Sequence, residues 1–283
     1  MRIRTLSVAL PGAVALSALC LPAAAQAAER PGAAARLGSF AAHDVHPRTS
    51  LGDISFSKAV INGGKDIVLG TATRKSVTVT YTATSSSGVA LTEAFLWQGT
   101  DSSNTDTITG SLGTDDDPTC TESTTRTGVY ACKAVFHINA ASDLKNNGVA
   151  GTWKLFLGGY DLYANASYND DVATTRIKKA SQVTVDATPE PVKKGKTVTV
   201  TGSLKRADWN NGTYAGYAGQ EVLLQYRKKG SNTYTTLKKV TSSTGGALKT
   251  TTTATADGYY RLSFVANTTT AASTAAGDYV DVK

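Results

Sequence analysis

Residues 75–83 read KSVTVTYTA, with Val77, Val79 and Tyr81 in one phase and Lys75, Thr78, Thr80 and Thr82 set around them. Apolar residues two apart, with hydroxyls between them, predict a half-buried antiparallel strand. The same alternation recurs outward from this stretch. Residues 54–60, 91–98, 129–138, 151–158 and 174–178 are predicted strands. The breakers between them are Ser85-Ser86-Ser87-Gly88, Asn146-Asn147-Gly148 and the Asn/Asp-rich residues 165–171. In 129–138, Tyr130, Cys132, Ala134, Phe136 and Ile138 share the inward phase and His137 the outward one. Trp153, Leu155 and Leu157 form a further inward set.

Composition agrees with an all-β chain. The 283 residues are 41% hydrophobic and 18% charged, with 26 Gly and a formal charge of +7. Thr, Ser, Val, Ala and Tyr are abundant, and strong helix formers are sparse. This excludes a helical bundle, a coiled coil and most α/β enzyme folds. The alternation along nearly the whole length excludes disorder throughout.

The N-terminus reads as an export signal. Arg2 and Arg4 precede an apolar stretch over 6–21, and Ala25-Gln26-Ala27 offers small residues for cleavage after Ala27. Residues 1–27 are therefore expected to be a signal peptide, removed with Cys20. Residues 28–52 are expected to be a flexible leader, in which His43, Asp44 and His46 form no convincing metal site. No later apolar run is long enough to span a bilayer. Export leaves Cys120 and Cys132 in an oxidising compartment, where they are expected to form a structural disulfide.

A boundary is expected near Ala180, giving β-sandwich domains over 53–180 and 181–283. In the second, Val198, Val200, Gly202 and Leu204 alternate with threonines. Further strands are predicted at 182–187, 222–226, 234–240, 247–254, 259–266 and 278–282. Seven strands in about one hundred residues have the rhythm of an immunoglobulin-like sandwich.

Specific residues extend this reading. Lys194-Gly195-Lys196 precedes VTVTG, Gly219-Gln220 opens VLLQYR, and Asp257-Gly258-Tyr259-Tyr260 precedes RLSF. In these features the second half resembles bacterial Ig-like modules, with Gly258-x-Tyr260 similar to the corner that enters a late strand of such modules. The paired inter-sheet cysteines of antibody domains are missing. Over residues 55–283 the chain also resembles secreted two-domain proteins of high-GC Gram-positive bacteria. The resemblance implies two tandem Ig-like antiparallel β-sandwiches, a scaffold that does not by itself specify a function.

Several function classes are unsupported by motif. The chain has no G-x-S-x-G elbow, H-E-x-x-H pair, P-loop or dinucleotide-binding glycine fingerprint. Within the expected domains a Ser-His-Asp arrangement would have to use the outward-facing His137. Export, together with the lack of a recognition helix or RNP-type strand, argues against nucleic acid. The expected protein is not an enzyme. A secreted glycan hydrolase using loop carboxylates is an alternative.

Asp115, Asp116 and Asp117, with Asp101, Asn104 and Asp106 in the same region, could hold calcium, since hard cations take oxygen ligands from such loops. No spacing matches an EF-hand-type loop. A calcium-stabilised extracellular structural protein is thus a second alternative.

Charge is unevenly distributed. Residues 182–283 hold 13 Lys and Arg against 7 Asp and Glu, whereas 51–181 hold 11 against 13. Basic pairs at Lys193-Lys194, Lys205-Arg206, Lys228-Lys229 and Lys238-Lys239 could attract anionic envelope polymers. They could equally keep strand edges soluble. Residues 205–219, KRADWNNGTYAGYAG, are expected to form a loop carrying Trp209, Tyr214 and Tyr217. Those rings would serve either as a sugar- or protein-contact surface or as a cap on the sandwich.

The leading expectation is a secreted, non-enzymatic binding or surface-interaction protein, extracellular and held non-covalently at the cell wall. Its partner would be a cell-envelope polysaccharide or another extracellular protein, contacted through Trp209, Tyr214, Tyr217, Lys228, Lys229, Lys238 and Lys239.

Overall fold

The structure, a computed structural model, describes residues 52–283. The expectations for residues 1–51, including Cys20, His43, Asp44 and His46, lie outside the described residues.

In the first half, the strands are β1 (Ser55–Ile61), β2 (Ile67–Leu69), β3 (Arg74–Thr84), β4 (Leu91–Gly99), β5 (Ile108–Gly113), β6 (Thr119–Glu122), β7 (Val129–Asn139), β8 (Gly151–Tyr160) and β9 (Ala166–Lys179). They form one sheet of order β1-β3-β7-β6 and a second of order β2-β9-β8-β4-β5. All pairings are antiparallel except β2 with β9. The sheets face each other across one core, built by Val77, Val79, Tyr81, Phe136 and Ile138 from one side and Leu96, Leu155, Leu157 and Ile177 from the other. The period-two phase assigned from sequence places these side chains inward, and His137 is exposed as that phase requires. The outer face of the second sheet holds a further buried cluster of Phe95, Trp97 and Phe156.

The Asn/Asp-rich stretch departs from expectation. It contributes to the fourteen-residue β9 instead of breaking the chain. Its alternating exposed residues lie along β8, and pairing outweighs their weak intrinsic strand preference.

In the second half, β10 (Ser181–Val183), β11 (Asp186–Thr188), β12 (Thr197–Asp208), β13 (Thr213–Gly216) and β16 (Ala247–Thr253) form one sheet around β12. The facing sheet holds β14 (Glu221–Lys228), β15 (Thr235–Thr241), β17 (Gly258–Phe264), β18 (Ser273–Thr274) and β19 (Asp278–Val280). Val198, Val200, Leu204 and Leu248 meet Val222, Leu224, Tyr260, Leu262 and Phe264 in the core between them. The Tyr226 hydroxyl donates to the Ala256 carbonyl at 2.9 Å and so ties down the turn before β17. Glycine is required at 258, where a Cβ would overlap the Tyr226 ring and the Arg227 carbonyl.

Cys120 and Cys132 form a disulfide. They sit directly opposite each other in the β6–β7 ladder, so the bridge joins an edge strand to a strand that lines the core. By loop-closure entropy a bridge of this span contributes ~3 kcal/mol. The double variant C120S/C132S is expected to unfold in urea at a lower midpoint, by roughly 2–3 kcal/mol. Adding reductant should shift the parent protein and leave that variant unmoved.

Candidate functional site

Residues 205–219 are not the loop expected from sequence. β12 runs on to Asp208, and the chain turns back as β13, pairing Ala207 with Tyr214 and Lys205 with Gly216. This hairpin leaves the second core and carries Ala207 and Trp209 into the first. Trp209 is only 5% exposed. Its Nε1 donates to the Gly70 carbonyl at 3.0 Å, and its backbone N–H donates to Asn147 Oδ1 at 2.9 Å. Tyr214 packs against the same core, with its hydroxyl close to Gly70. Tyr217 instead joins the second core, edge-on to Phe264 at 5.8 Å, with the Arg206 guanidinium 3.9 Å from its ring. The three aromatics therefore do not form one contact platform. Trp209 in particular is a packing residue, because a buried indole needs the partner that Gly70 provides.

The four lysines proposed from sequence are all exposed, and they are spread over the second sandwich. Lys238 Nζ donates to the Thr251 carbonyl at 2.6 Å, and Lys239 pairs with Glu221 at 2.9 Å. Lys228 ends β14. Lys229 Nζ donates to the Tyr279 hydroxyl at 3.1 Å, which donates in turn to Asp257 Oδ2 at 3.2 Å. That relay, led by the tyrosine hydroxyl, raises Lys229 above the ordinary lysine value.

Lys229 lies at one end of a surface that the sequence reading missed. β14 and β17 pair so that Arg227 stands opposite Tyr259 and Gln225 opposite Arg261, while β19 sets Tyr279 opposite Tyr259. All of these are in the outward phase, since Leu224, Tyr260 and Leu262 fill the core. The Arg227 guanidinium lies 4.1 Å from the Tyr259 ring and 5.3 Å from Tyr234. Arg261 lies 3.6 Å from Tyr234. Tyr259 and Tyr279 are tilted together at 5.2 Å. Arg261 Nε donates to Gln225 Oε1 at 2.8 Å, and Arg227 Nη1 donates to the Ser231 carbonyl. Tyr234 reaches over the sheet to Gly277, where a Cβ would collide with its hydroxyl. The outward phase of QYR and YYR was readable; the register that interleaves them was not.

The acidic loop lies on the surface of the first half. Asp115, Asp116 and Asp117 are exposed, and Asp115 Oδ2 lies 3.1 Å from His137 Nδ1. Among the described residues no group of three or more His, Cys, Asp or Glu is placed to hold a metal ion. Ser76 lies opposite His137 in the ladder, so a serine, an imidazole and a carboxylate share one surface. The His137 and Asp115 side chains are 55% and 71% exposed, without the water exclusion that strengthens catalytic electrostatics.

No protein-family model and no curated protein matches the chain. Solved structures similar to it include the D00-D0 domain of intimin, at 17% identity and a TM-score of 0.27, covering 78% of this chain and 98% of that one. The Yersinia pseudotuberculosis adhesin InvE aligns at 14% identity and 0.27, over 81% of this chain and 60% of its own. Three N-terminal domains of the bacteriophage RB49 outer capsid protein Hoc align at 11% and 0.32, over 81% and 71%. Likenesses at these scores carry no argument about ligand, and the fold rests on the sheet registers above.

Trp209→Ala is expected to destabilise the protein by about 3–5 kcal/mol in urea unfolding, as removal of a buried indole does. Trp209→Phe, which keeps a ring and strands the Gly70 carbonyl, should cost about 1–3 kcal/mol. Beside the indole, at 5.5 Å, the Lys179 amine is pushed down to about 8 by burial and then by the Arg206 charge, with Asp208 opposing. Between that value and the free lysine value of about 10.4, the unfolded chain binds more protons than the folded one. This group's contribution to stability therefore rises with pH across that window. Lys179→Met should flatten the rise when denaturation midpoints are compared at about pH 7 and about pH 10.

Proposed function

We propose that the chain is an exported, non-catalytic binding protein that engages an anionic polymer of the cell envelope through the outer face of the β14–β17–β19 sheet. The observation that carries this reading is the interleaving of Arg227, Arg261 and Lys229 with Tyr234, Tyr259 and Tyr279 on one sheet face. Cations give long-range attraction to a polyanion, and half-exposed tyrosines give contact area at low entropic cost. The excess of basic residues in 182–283 acts in the same direction.

A second reading, contact with another extracellular protein, is favoured by the β8–β9 turn. Leu162 and Tyr163 are 69% and 77% exposed there. The buried Asp161 carboxylate holds the turn by accepting from the Tyr163 and Asn165 backbone N–H groups, both at 2.9 Å. A rigid turn that presents two large apolar side chains suits insertion into a partner's pocket.

Sedimentation with whole cell envelopes, which carry both polymer and protein, separates the two readings. The polymer reading expects binding that falls steeply with salt and survives L162S/Y163S. Binding that ignores salt and is abolished by L162S/Y163S would replace it with the protein reading.

A further inference from the structure

We infer that Arg227 and Arg261, gathered around the Tyr234 ring, form a subsite for the oxyanion group of an acidic sugar, a carboxylate or sulfate carried on a polysaccharide. This rests on the polymer-binding reading and adds to it the chemistry of the ligand and the residues that select it.

Three features of the face point to an anion. Both guanidinium groups approach the same Tyr234 ring, at 5.3 and 3.6 Å, so two cations gather around one aromatic side chain. Neither has a carboxylate within ion-pair distance among the described residues, whereas Lys229 and Lys239 on the same sheet are paired at 3.6 and 2.9 Å. Two cations without a carboxylate partner attract an anion by simple electrostatics. Both forks are also pre-oriented, Arg261 through Gln225 and Arg227 through Ser231. The Arg261 bond uses one of five guanidinium donors, and Arg227 divides some of its donors among Ser231, Tyr234 and Tyr259; the remaining donors are free for an oxyanion, which arginine grips in a bidentate manner.

The neighbouring Tyr259–Tyr279 pair supplies the sugar half of the ligand. Its rings continue the row onto β17 and β19, where they offer an apolar surface to the C–H face of a pyranose. A linear polyphosphate would satisfy the arginines and leave these rings unused. A neutral glycan would do the reverse.

Calorimetric titration of the full chain tests this with four probes: oligogalacturonate, dextran sulfate, polyphosphate and neutral dextran. Saturable binding of an acidic sugar polymer is expected, with weaker binding of polyphosphate and none of dextran. Arg261→Ala and Arg227→Ala should each weaken acidic-sugar binding about ten-fold or more, as loss of a charged hydrogen bond does. Arg261→Lys, which keeps charge and loses the fork, should be weakened as well. Lys238→Ala, away from the ring, should change affinity by less than about two-fold.

Polyphosphate binding as tightly as the acidic sugars, or equal losses at Lys238 and Arg261, would overturn the subsite in favour of a diffuse basic surface. Envelope sedimentation that persists in R227A/R261A would also overturn it while leaving the polymer-binding reading intact. Absence of sedimentation by the parent protein would remove that broader reading.

Discussion

The buried indole of Trp209 joins the two halves of this protein. β12 starts in the second core with Val198, Val200 and Leu204, then continues until Ala207 and Trp209 enter the first. Gly70 accepts the indole N–H, while Asn147 donates its backbone N–H to Asn210 Oδ1 and accepts from the Trp209 backbone. The Ala180 N–H donates to the Leu69 carbonyl, and the Ala207 N–H donates to the Ala180 carbonyl. A segment rich in Asn and Gly thus becomes an ordered hairpin because the neighbouring core takes up its aromatic tip. The same burial depresses Lys179, whose amine has been moved from water to a site beside an indole and an arginine.

The surface chemistry of the second half follows from a different constraint. β14 and β17 must turn Val222, Leu224, Tyr260, Leu262 and Phe264 inward, and a pleated strand can do so only by turning the residues between them outward. Arg227, Tyr259 and Arg261 are therefore brought to one face by the demands of the core. What is particular to this chain is the choice of cations and tyrosines at those outward positions and, among the described residues, the absence of a carboxylate in ion-pair distance of either arginine. Lys238 and Lys239, by contrast, are taken up by the Thr251 carbonyl and Glu221, and contribute charge without a shaped site.

Most of the fold was legible from local pattern. The strands at 75–83, 129–138 and 259–266 and the facing of Cys132 and His137 follow from alternation alone. What pattern missed were short or polar strands, including β2, β5, β6 and β13, whose formation depends on a partner strand more than on their own residues. The Asn/Asp run in β9 belongs to the same class. At the candidate site, the basic bias of the second half is visible in composition, but polar, glycine-rich sequence predicts a loop at 205–219 and leaves Trp209 and Tyr214 either as a contact surface or as a cap. Lys229 was identified for its charge, without the tyrosine it contacts.

The sequence alone determined the all-β class, the phase of each strong strand and the cysteine pair, because period-two burial and covalent partnering are properties of short stretches and of residue type. Tertiary structure decided where the indole lies and which outward residues meet. Cross-strand register brings Arg227 to Tyr259 and Tyr259 to Tyr279 from segments far apart in the chain. Such neighbours are set by the packing of whole sheets, and no local pattern records them.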